Sequence, residues 1–93
     1  MTAELDPDWV AAYQHAQAVS KLVVQQLLRK QNVVGVGVGM RQRLGRRTKD
    51  VVLVVMVDRK VPLTDLDPED VIPAEIDGVP VDVQETGEFS VHT

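Results

Sequence analysis

The sequence of 93 residues has no cysteine and only one tryptophan, one tyrosine and one phenylalanine. Without cysteine the chain forms no disulfide bond and performs no thiolate chemistry, which fits a reducing compartment. The scarcity of aromatic side chains leaves valine to fill the core, and this favours β-strands. The longest apolar run, Val51–Val57, is far too short to cross a bilayer, and the acidic start of the chain does not resemble a signal peptide. We therefore expect a single domain, residues 1–93, in the cytoplasm.

Basic residues are absent from the last third of the chain. No Lys or Arg follows Val61, whereas nine acidic residues do. The segment before it concentrates five cations, which are Arg41, Arg43, Arg46, Arg47 and Lys49. A chain that is basic in one segment and acidic in another can steer charged partners, or associate head to tail with its own copies.

A long amphipathic helix is predicted over residues 7–30. Asp6 is a suitable N-cap, and Pro7 suits the first helical position. Apolar residues then recur at spacings of three and four from Trp9 to Leu27. At 1.5 Å per residue this helix would be roughly 36 Å long, which is long for so small a domain. We therefore expect part of its apolar stripe to lack a partner within the chain.

A β-hairpin is predicted over residues 33–58. Its first strand alternates valine with glycine, which places three glycines on one face. These close-packing glycines are Gly35, Gly37 and Gly39. Because glycine weakens a strand, the pattern indicates that another backbone, a helix or a ligand approaches this face. We place a type I turn with a bulge at Leu44-Gly45, which sets Val38 opposite Val51.

The second strand of the hairpin, Val51–Val57, is apolar at every position. Both of its faces should therefore be buried. The long helix covers one face of the hairpin. The other face needs a cover from the C-terminal segment, from another domain or from another copy of the chain.

The predicted fold class is α+β, with a long N-terminal helix packed on a small mixed three-stranded sheet in the order α-β-β-(short α)-β. The short helical turn is predicted over residues 67–71, where Asp-Pro-Glu is a helix-start signal. The third strand is predicted over residues 79–86, where valine alternates with proline and polar residues. The crossover makes this strand parallel to the second strand, or antiparallel if it joins the other edge, and the pattern leaves both open.

No arrangement of residues predicts catalysis, a cofactor or a metal. The glycines lie within a strand that enters a hairpin, whereas a phosphate loop needs them in a turn that opens a helix. The acids of residues 65–70 lack the spacing and the glycine of an EF-hand, and His15 and His92 have no converging zinc ligands. Ser20 and Ser90 have no partner that the sequence positions for nucleophilic catalysis. We expect a protein that is not an enzyme.

The basic segment is the candidate partner-binding site, through Arg41, Arg43, Arg46, Arg47 and Lys49. Its plainest interpretation is a solvated hairpin that keeps an edge strand from aggregating. The second interpretation is docking to an acidic protein surface, which another copy of the chain would offer. Nucleic-acid binding is the third. It is less favoured because no aromatic residue lies among the cations and the net charge of the chain is −4.

Four motifs occur in a fixed order along the chain: VVGVGVG at 33–39, DRKVP at 58–62, LDPEDVIP at 66–73 and EIDGVPVD at 75–82. Together they resemble the N-terminal module of narrow-leaf-type trypsin-like serine peptidases. In that family the catalytic residues lie downstream, in a trypsin-like barrel, so none is carried over to this sequence. The resemblance implies an accessory module with a role in assembly or in access to a peptidase.

The leading hypothesis is a non-catalytic module that associates with itself or binds another protein, similar to the N-terminal module of trypsin-like peptidases. Its expected partners are further copies, a peptidase or another protein, and no membrane. The first alternative is a small nucleic-acid-binding protein that uses the hairpin Arg41–Lys49. The second is a small-molecule binder or an enzyme with a site at a subunit boundary, which requires convergent polar groups at a cleft.

Overall fold

The computed structural model describes residues 7–86, except for the side chains of Gln42 and Arg47. Over this range one helix packs on a four-stranded mixed sheet. The elements are α1 (Pro7–Leu28), β1 (Val33–Arg43), β2 (Arg46–Val57), β3 (Glu75–Ile76) and β4 (Val79–Glu85). Two 3-10 turns, Leu63–Asp65 and Pro68–Asp70, lie between β2 and β3. The predicted cap Asp6 and the candidates Ser90 and His92 lie outside the described residues.

The expected α+β class, with an N-terminal helix packed on a mixed sheet, is confirmed, but the sheet has four strands and not three. The additional strand is β3, which is only two residues long and therefore shows no alternation in sequence. It pairs antiparallel with β4, with Ile76 opposite Val79. The turn between them, Asp77-Gly78, has φ values of 49° and 78°. Positive φ at both positions is the type I′ geometry, which Asp-Gly favours.

The strands lie in the order β1-β2-β4-β3. The hairpin β1–β2 is antiparallel, and β4 joins the free edge of β2 in parallel, from Leu53 opposite Val81 to Val57 opposite Glu85. Parallel pairing is thus the alternative that the structure adopts. Parallel pairing requires a crossover that carries the chain back along β2, so that β4 can run in the same direction as β2. Residues 58–74 provide this crossover. The two edges of the sheet differ greatly, because β1 has 11 residues and β3 has 2.

Helix α1 buries a narrow stripe against the sheet. Ala16, Val19 and Leu27 are at most 2% exposed, and Val23 packs against the same cluster. Their spacings of three and four place them on one face of the helix. By contrast, Leu22 is 78% exposed. Part of the apolar surface of the helix therefore has no partner in the described chain.

The helix ends two residues before the predicted boundary at Lys30. Its last amides, from Arg29 and Lys30, donate to the carbonyls three residues back, at 3.3 and 3.0 Å. This tightening is common in a last helical turn. Asn32 then adopts a φ of 71°, a left-handed conformation that asparagine tolerates and that turns the chain into β1.

The hydrophobic core lies on one face of the sheet, beneath α1. Its strand residues are at most 8% exposed, and they are Leu53, Val55, Val57, Val79 and Val81. Because side chains alternate along a strand, the intervening residues Val54 and Met56 project from the opposite face.

The crossover packs on the same side as the helix. Ile72 contacts the core cluster, the Gln31 amide donates to Asp70 Oδ1 at 3.0 Å, and His15 Nε2 lies 2.9 Å from the carbonyl oxygen of Asp77. Within residues 7–86, the helix and the crossover thus pack on the same side of the sheet. On the opposite side Val54 and Met56 are half-buried, although Val52 is fully buried. None of the described helices combines the length and the hydropathy that crossing a membrane requires.

Candidate functional site

The five predicted partner-binding cations lie at the closed end of the β1–β2 hairpin, which we call the basic tip. Arg43 and Arg46 pair directly across the turn, and both are exposed, as is Lys49. Arg41 is half-buried, and the side chain of Arg47 lies outside the described atoms. The cations described at the tip have no acidic side chain within ion-pair distance in residues 7–86. Arg43, Arg46 and Lys49 therefore present positive charge to solvent without an ion pair to any described acid.

The turn at the basic tip differs from the predicted type I turn. Leu44 has a φ of 52° and Gly45 a φ of 76°, so both central residues are left-handed, as in a type I′ turn of two residues. Glycine adopts this conformation freely, but a leucine is uncommon there. The Leu44 side chain is fully exposed, at 103%, and gains no packing in return. Sequence reasoning missed this geometry because Leu-Gly is not among the usual type I′ pairs.

The register of the hairpin is displaced by two residues from the prediction. Val38 lies opposite Leu53, and not opposite Val51, because an irregularity interrupts the ladder after Met40. Thr48 stabilises this bulge, since its hydroxyl donates to the Arg41 carbonyl at 2.8 Å and accepts from the Asp50 amide at 3.2 Å. A displacement by two residues preserves the alternation of faces. The predicted division of the hairpin into two faces therefore holds over its regular part, although the pairs are wrong.

A second bulge changes the start of β1. The ladder shifts between Val33 and Gly35, so Val33 packs against the core while Val34 is 44% exposed. Strict alternation along β1 would place Val34 on the same face as Val36. The correction follows from the extra residue in β1, which reverses the alternation at that point.

The glycine face of the hairpin is the one opposite α1. A Cβ atom at Gly35 would meet Met56 Cε at 2.7 Å, and one at Gly39 would meet Val54 Cγ2 at 3.2 Å. Side chains of β2 therefore fold over two of the glycines. At Gly37, however, an added Cβ would have no atom within 4 Å. We call the surface formed by Gly35, Gly37, Gly39, Val54 and Met56 the open face.

The open face is bordered on both sides. Val52, towards the basic tip, is fully buried, whereas Val54 and Met56 are half-buried. On β4 the same side of the sheet carries Asp82 and Gln84, whose side chains lie 3.2 Å apart in a hydrogen bond from Gln84 Nε2 to Asp82 Oδ2. The open face is thus a small apolar strip with a polar border, a composition typical of protein-binding surfaces.

An acidic corner lies at the opposite end of β1 from the basic tip. Carboxylate oxygens of Asp67, Glu69 and Asp70 lie within 4.8 Å of one another. Asp70 anchors this corner to the start of β1 by accepting from the Gln31 amide, and Lys30 Nζ donates to the Glu69 carbonyl. The predicted short helical turn over residues 67–71 is the 3-10 turn Pro68–Asp70. Asp67 and Glu69 are exposed, and clustered exposed carboxylates do not by themselves make a cation site.

A cavity of about 290 Å³ lies between the crossover and this end of the sheet. Apolar side chains, which include Val57, Leu66 and Ile72, form much of its wall, and Arg59 and Lys60 also line it. Both cations are exposed. No sequence pattern predicted this cavity, because its walls combine residues 57–72 with Gln31, Asn32 and Val83, which are distant along the chain.

The remaining candidates occupy structural positions. His15 is exposed on α1, where it contacts the Asp77 carbonyl and lies 3.9 Å from Asp77 Oδ2. It thereby ties the helix to the β3–β4 turn. Ser20 is half-buried on the same helix.

The functional surfaces were only partly visible in the sequence. The basic segment and the glycine strand were singled out, and the structure places both on one hairpin. The acids of residues 65–70 were considered only as a cation site, and their position at the start of β1 was not predicted. Comparison of the chain with protein-family models and with curated proteins gives no match in either case.

Proposed function

We propose that this chain is a non-catalytic protein-binding module that associates with its own copies or with another protein through the β1–β2 hairpin. The observation that carries the proposal is the open face, an apolar surface of Val54 and Met56 over the glycines that no described element covers. Burial of apolar surface is the main driving force of protein association, so a surface of this kind is stabilised by a partner.

The glycines support this function more directly than the valines do. Three glycines destabilise a strand of this length, since each is less favourable within a strand than alanine. Gly37 has open space where a side chain would project, so packing within the chain does not require glycine there. A requirement for close approach of another backbone explains its presence.

The resemblance of residues 32–88 to the N-terminal module of narrow-leaf-type trypsin-like peptidases adds to the proposal. It supports an accessory role in the assembly of a peptidase or in access to it. The peptidase would then be a second partner besides further copies of the chain.

Sedimentation analysis over a wide range of concentration tests the proposal. The wild-type chain should associate, and the variant Val54→Lys/Met56→Lys should associate more weakly, because two lysines on the open face oppose its burial. Leu22→Lys is the matched control, since Leu22 is an exposed apolar residue on the helix. Circular dichroism checks that the variants fold. A wild-type chain that remains monomeric at every concentration contradicts the proposal, as does association that no substitution on the β1–β2 hairpin weakens.

The cavity favours a second candidate function, the binding of a small aliphatic carboxylate. Its wall contains many apolar side chains, and its two cations, Arg59 and Lys60, outnumber its one carboxylate, Asp70, and can bind the ligand's carboxylate. Calorimetric titration with octanoate tests this function. Binding should weaken in Lys60→Glu and remain in Lys21→Glu, which changes an exposed cation on α1. No heat of binding to the wild-type chain would contradict it.

A further inference from the structure

We infer that two copies of this chain pair along the outer edges of their β1 strands in antiparallel orientation, with the basic tip of each copy against the acidic corner of the other. The inference rests on the proposed protein-binding function and names one partner, a second copy, and the surface that it uses. It joins three features that are otherwise unrelated: an edge strand with no second strand neighbour among residues 7–86, a charged tip and a charged corner of opposite sign.

The edge of β1 is the first step of the argument. β1 is an outer strand of 11 residues whose only strand neighbour among the described residues is β2. An edge of this length presents a row of unpaired backbone donors and acceptors, which is a template for another strand. The opposite edge of the sheet, β3, has only 2 residues and offers no comparable template.

The sequence of β1 leaves its central part unprotected. Natural proteins guard edge strands with charges, proline, bulges or a cover. From Val33 to Met40 the strand has neither charge nor proline, and its two bulges lie near its ends, between Val33 and Gly35 and between Met40 and Gln42. The regular stretch between them is therefore free of the usual protection. Its glycines also leave the open side of the edge without side chains that would obstruct a second strand.

The charges determine the orientation. The basic tip follows the end of β1, because Arg43 is its last residue. The acidic corner lies at the start of β1, where Asp70 accepts from the amide of Gln31. In an antiparallel pair the end of one strand lies beside the start of the other. Each tip then meets the other copy's corner, whereas a parallel pair would place tip beside tip.

The contacts between tip and corner form when the two β1 strands overlap along their full length. If the two strands of residues 33–43 overlap completely, Arg43 of one copy lies beside Val33 of the second copy. The turn at Leu44-Gly45 then extends beyond it, towards Gln31 and the acidic corner of the second copy. The contact forms twice, because the arrangement has a twofold axis. Lys30, Arg59 and Lys60 lie at the same end of the molecule and offset part of the acidic charge, so each contact is a modest attraction.

Edge pairing also enlarges the apolar surface of the open face. The two four-stranded sheets become one sheet of eight strands, and the two open faces lie side by side on the same side of it. The combined apolar surface is twice that of one copy, which makes it a better docking surface for a further protein.

A charge-reversal experiment tests the orientation. One variant carries Arg43→Glu, Arg46→Glu and Lys49→Glu, which change the charge of the basic tip from +5 to −1. The other carries Asp67→Lys and Glu69→Lys, which change the charge of the three acids of the corner from −3 to +1. All five side chains are exposed, so both variants should fold. Each variant alone should form the homodimer more weakly, by about tenfold, because both of its contacts become repulsive. A mixture should form the heterodimer more tightly than either homodimer, since one contact is then reversed in sign and the other is native. The chain with all five substitutions should dimerise more tightly than either variant alone, and Lys21→Glu is the control without effect.

A distance measurement is independent of the charges. The chain has no cysteine, so a spin label on Leu44→Cys is unique, and Leu44 is fully exposed. Twelve strand residues separate the two labels in the paired register, which gives about 40 Å at 3.3 Å per residue. A short distance between the labels would show tip against tip and would overturn the inference.

Failure of this inference is distinguishable from failure of the proposed function. If the chain associates and the open-face variant weakens the association, while neither charge variant does and the mixture shows no preference for the heterodimer, the edge pairing is wrong and the module still binds through its open face. If the wild-type chain does not associate at all, both are wrong.

Discussion

The two faces of strand β2 carry similar apolar residues but have different surroundings. Leu53 and Val55 are fully buried beneath α1, whereas Val54 and Met56, their neighbours on the same strand, are only half-buried. The comparison shows that an apolar strand does not have to be buried on both faces by its own chain. One face stabilises the fold, and the other is available to a partner. Each of the following predictions tests this division of roles.

Two variants, each with a lysine on one face of β2, should show the largest difference in stability. Val55→Lys buries an unpaired charge beneath the helix, which costs several kcal/mol, comparable with the total stability of about 5–15 kcal/mol of a typical domain. We expect this variant to be unfolded by circular dichroism. Val54→Lys should remain folded, because its ammonium group reaches solvent from the open face. If both variants unfold, the two faces are equally buried and the comparison is wrong.

Truncation to alanine should give a smaller difference between the two faces in the free energy of unfolding. Leu53→Ala leaves a cavity in the core and should lower the free energy of unfolding by about 2–5 kcal/mol. Val54→Ala removes only half-buried methyl groups, so the loss should be below about 1.5 kcal/mol. Chemical denaturation measures both. Equal losses would show that something covers the open face as fully as α1 covers the core.

The bulge at Thr48 should contribute less to the free energy of unfolding than the core side chain of Leu53 does. Thr48→Val keeps the branched shape but removes the hydroxyl that bonds the Arg41 carbonyl and the Asp50 amide. We expect a loss of about 1–2 kcal/mol in the free energy of unfolding. Thr48→Ser retains the hydroxyl and serves as the control, with a smaller loss. A Thr48→Val variant as stable as the wild-type chain would mean that the bulge does not depend on this side chain.

The smallest effect is expected at the glycines of the open face, and it has the opposite sign. Gly37→Ala should raise the free energy of unfolding by roughly 0.5–1 kcal/mol, because alanine restricts the unfolded chain and its Cβ would meet no atom within 4 Å. Gly35→Ala should gain less, since its Cβ would displace the end of Met56. If Gly37→Ala is destabilising, the space above it is not open. If it is stabilising but weakens association, the glycine serves the partner and not the fold.

Local patterns predicted most of the elements. The alternation of valine and glycine identified β1, and the three- and four-residue spacing from Trp9 to Leu27 identified α1, because both periods depend only on backbone geometry. Pairing and turn type were less predictable. The bulge at Thr48 depends on a hydroxyl that bonds across the ladder, and the turn at Leu44-Gly45 adopts a geometry that its leucine does not favour. Neither leaves a periodic signal.

Residue patterns along the chain were enough to predict the α+β class and the separation of the hairpin into two faces, because strand alternation is a property of each strand alone. They also showed the concentration of cations in one segment. Which face lies beneath the helix could not be predicted in this way, since it depends on α1 and the crossover packing on the same side of the sheet. The same holds for the acidic corner at the start of β1 and the basic tip at its end. Charges distant along the chain become the two ends of one edge strand only when the crossover brings residues 67–70 against Lys30 and Gln31.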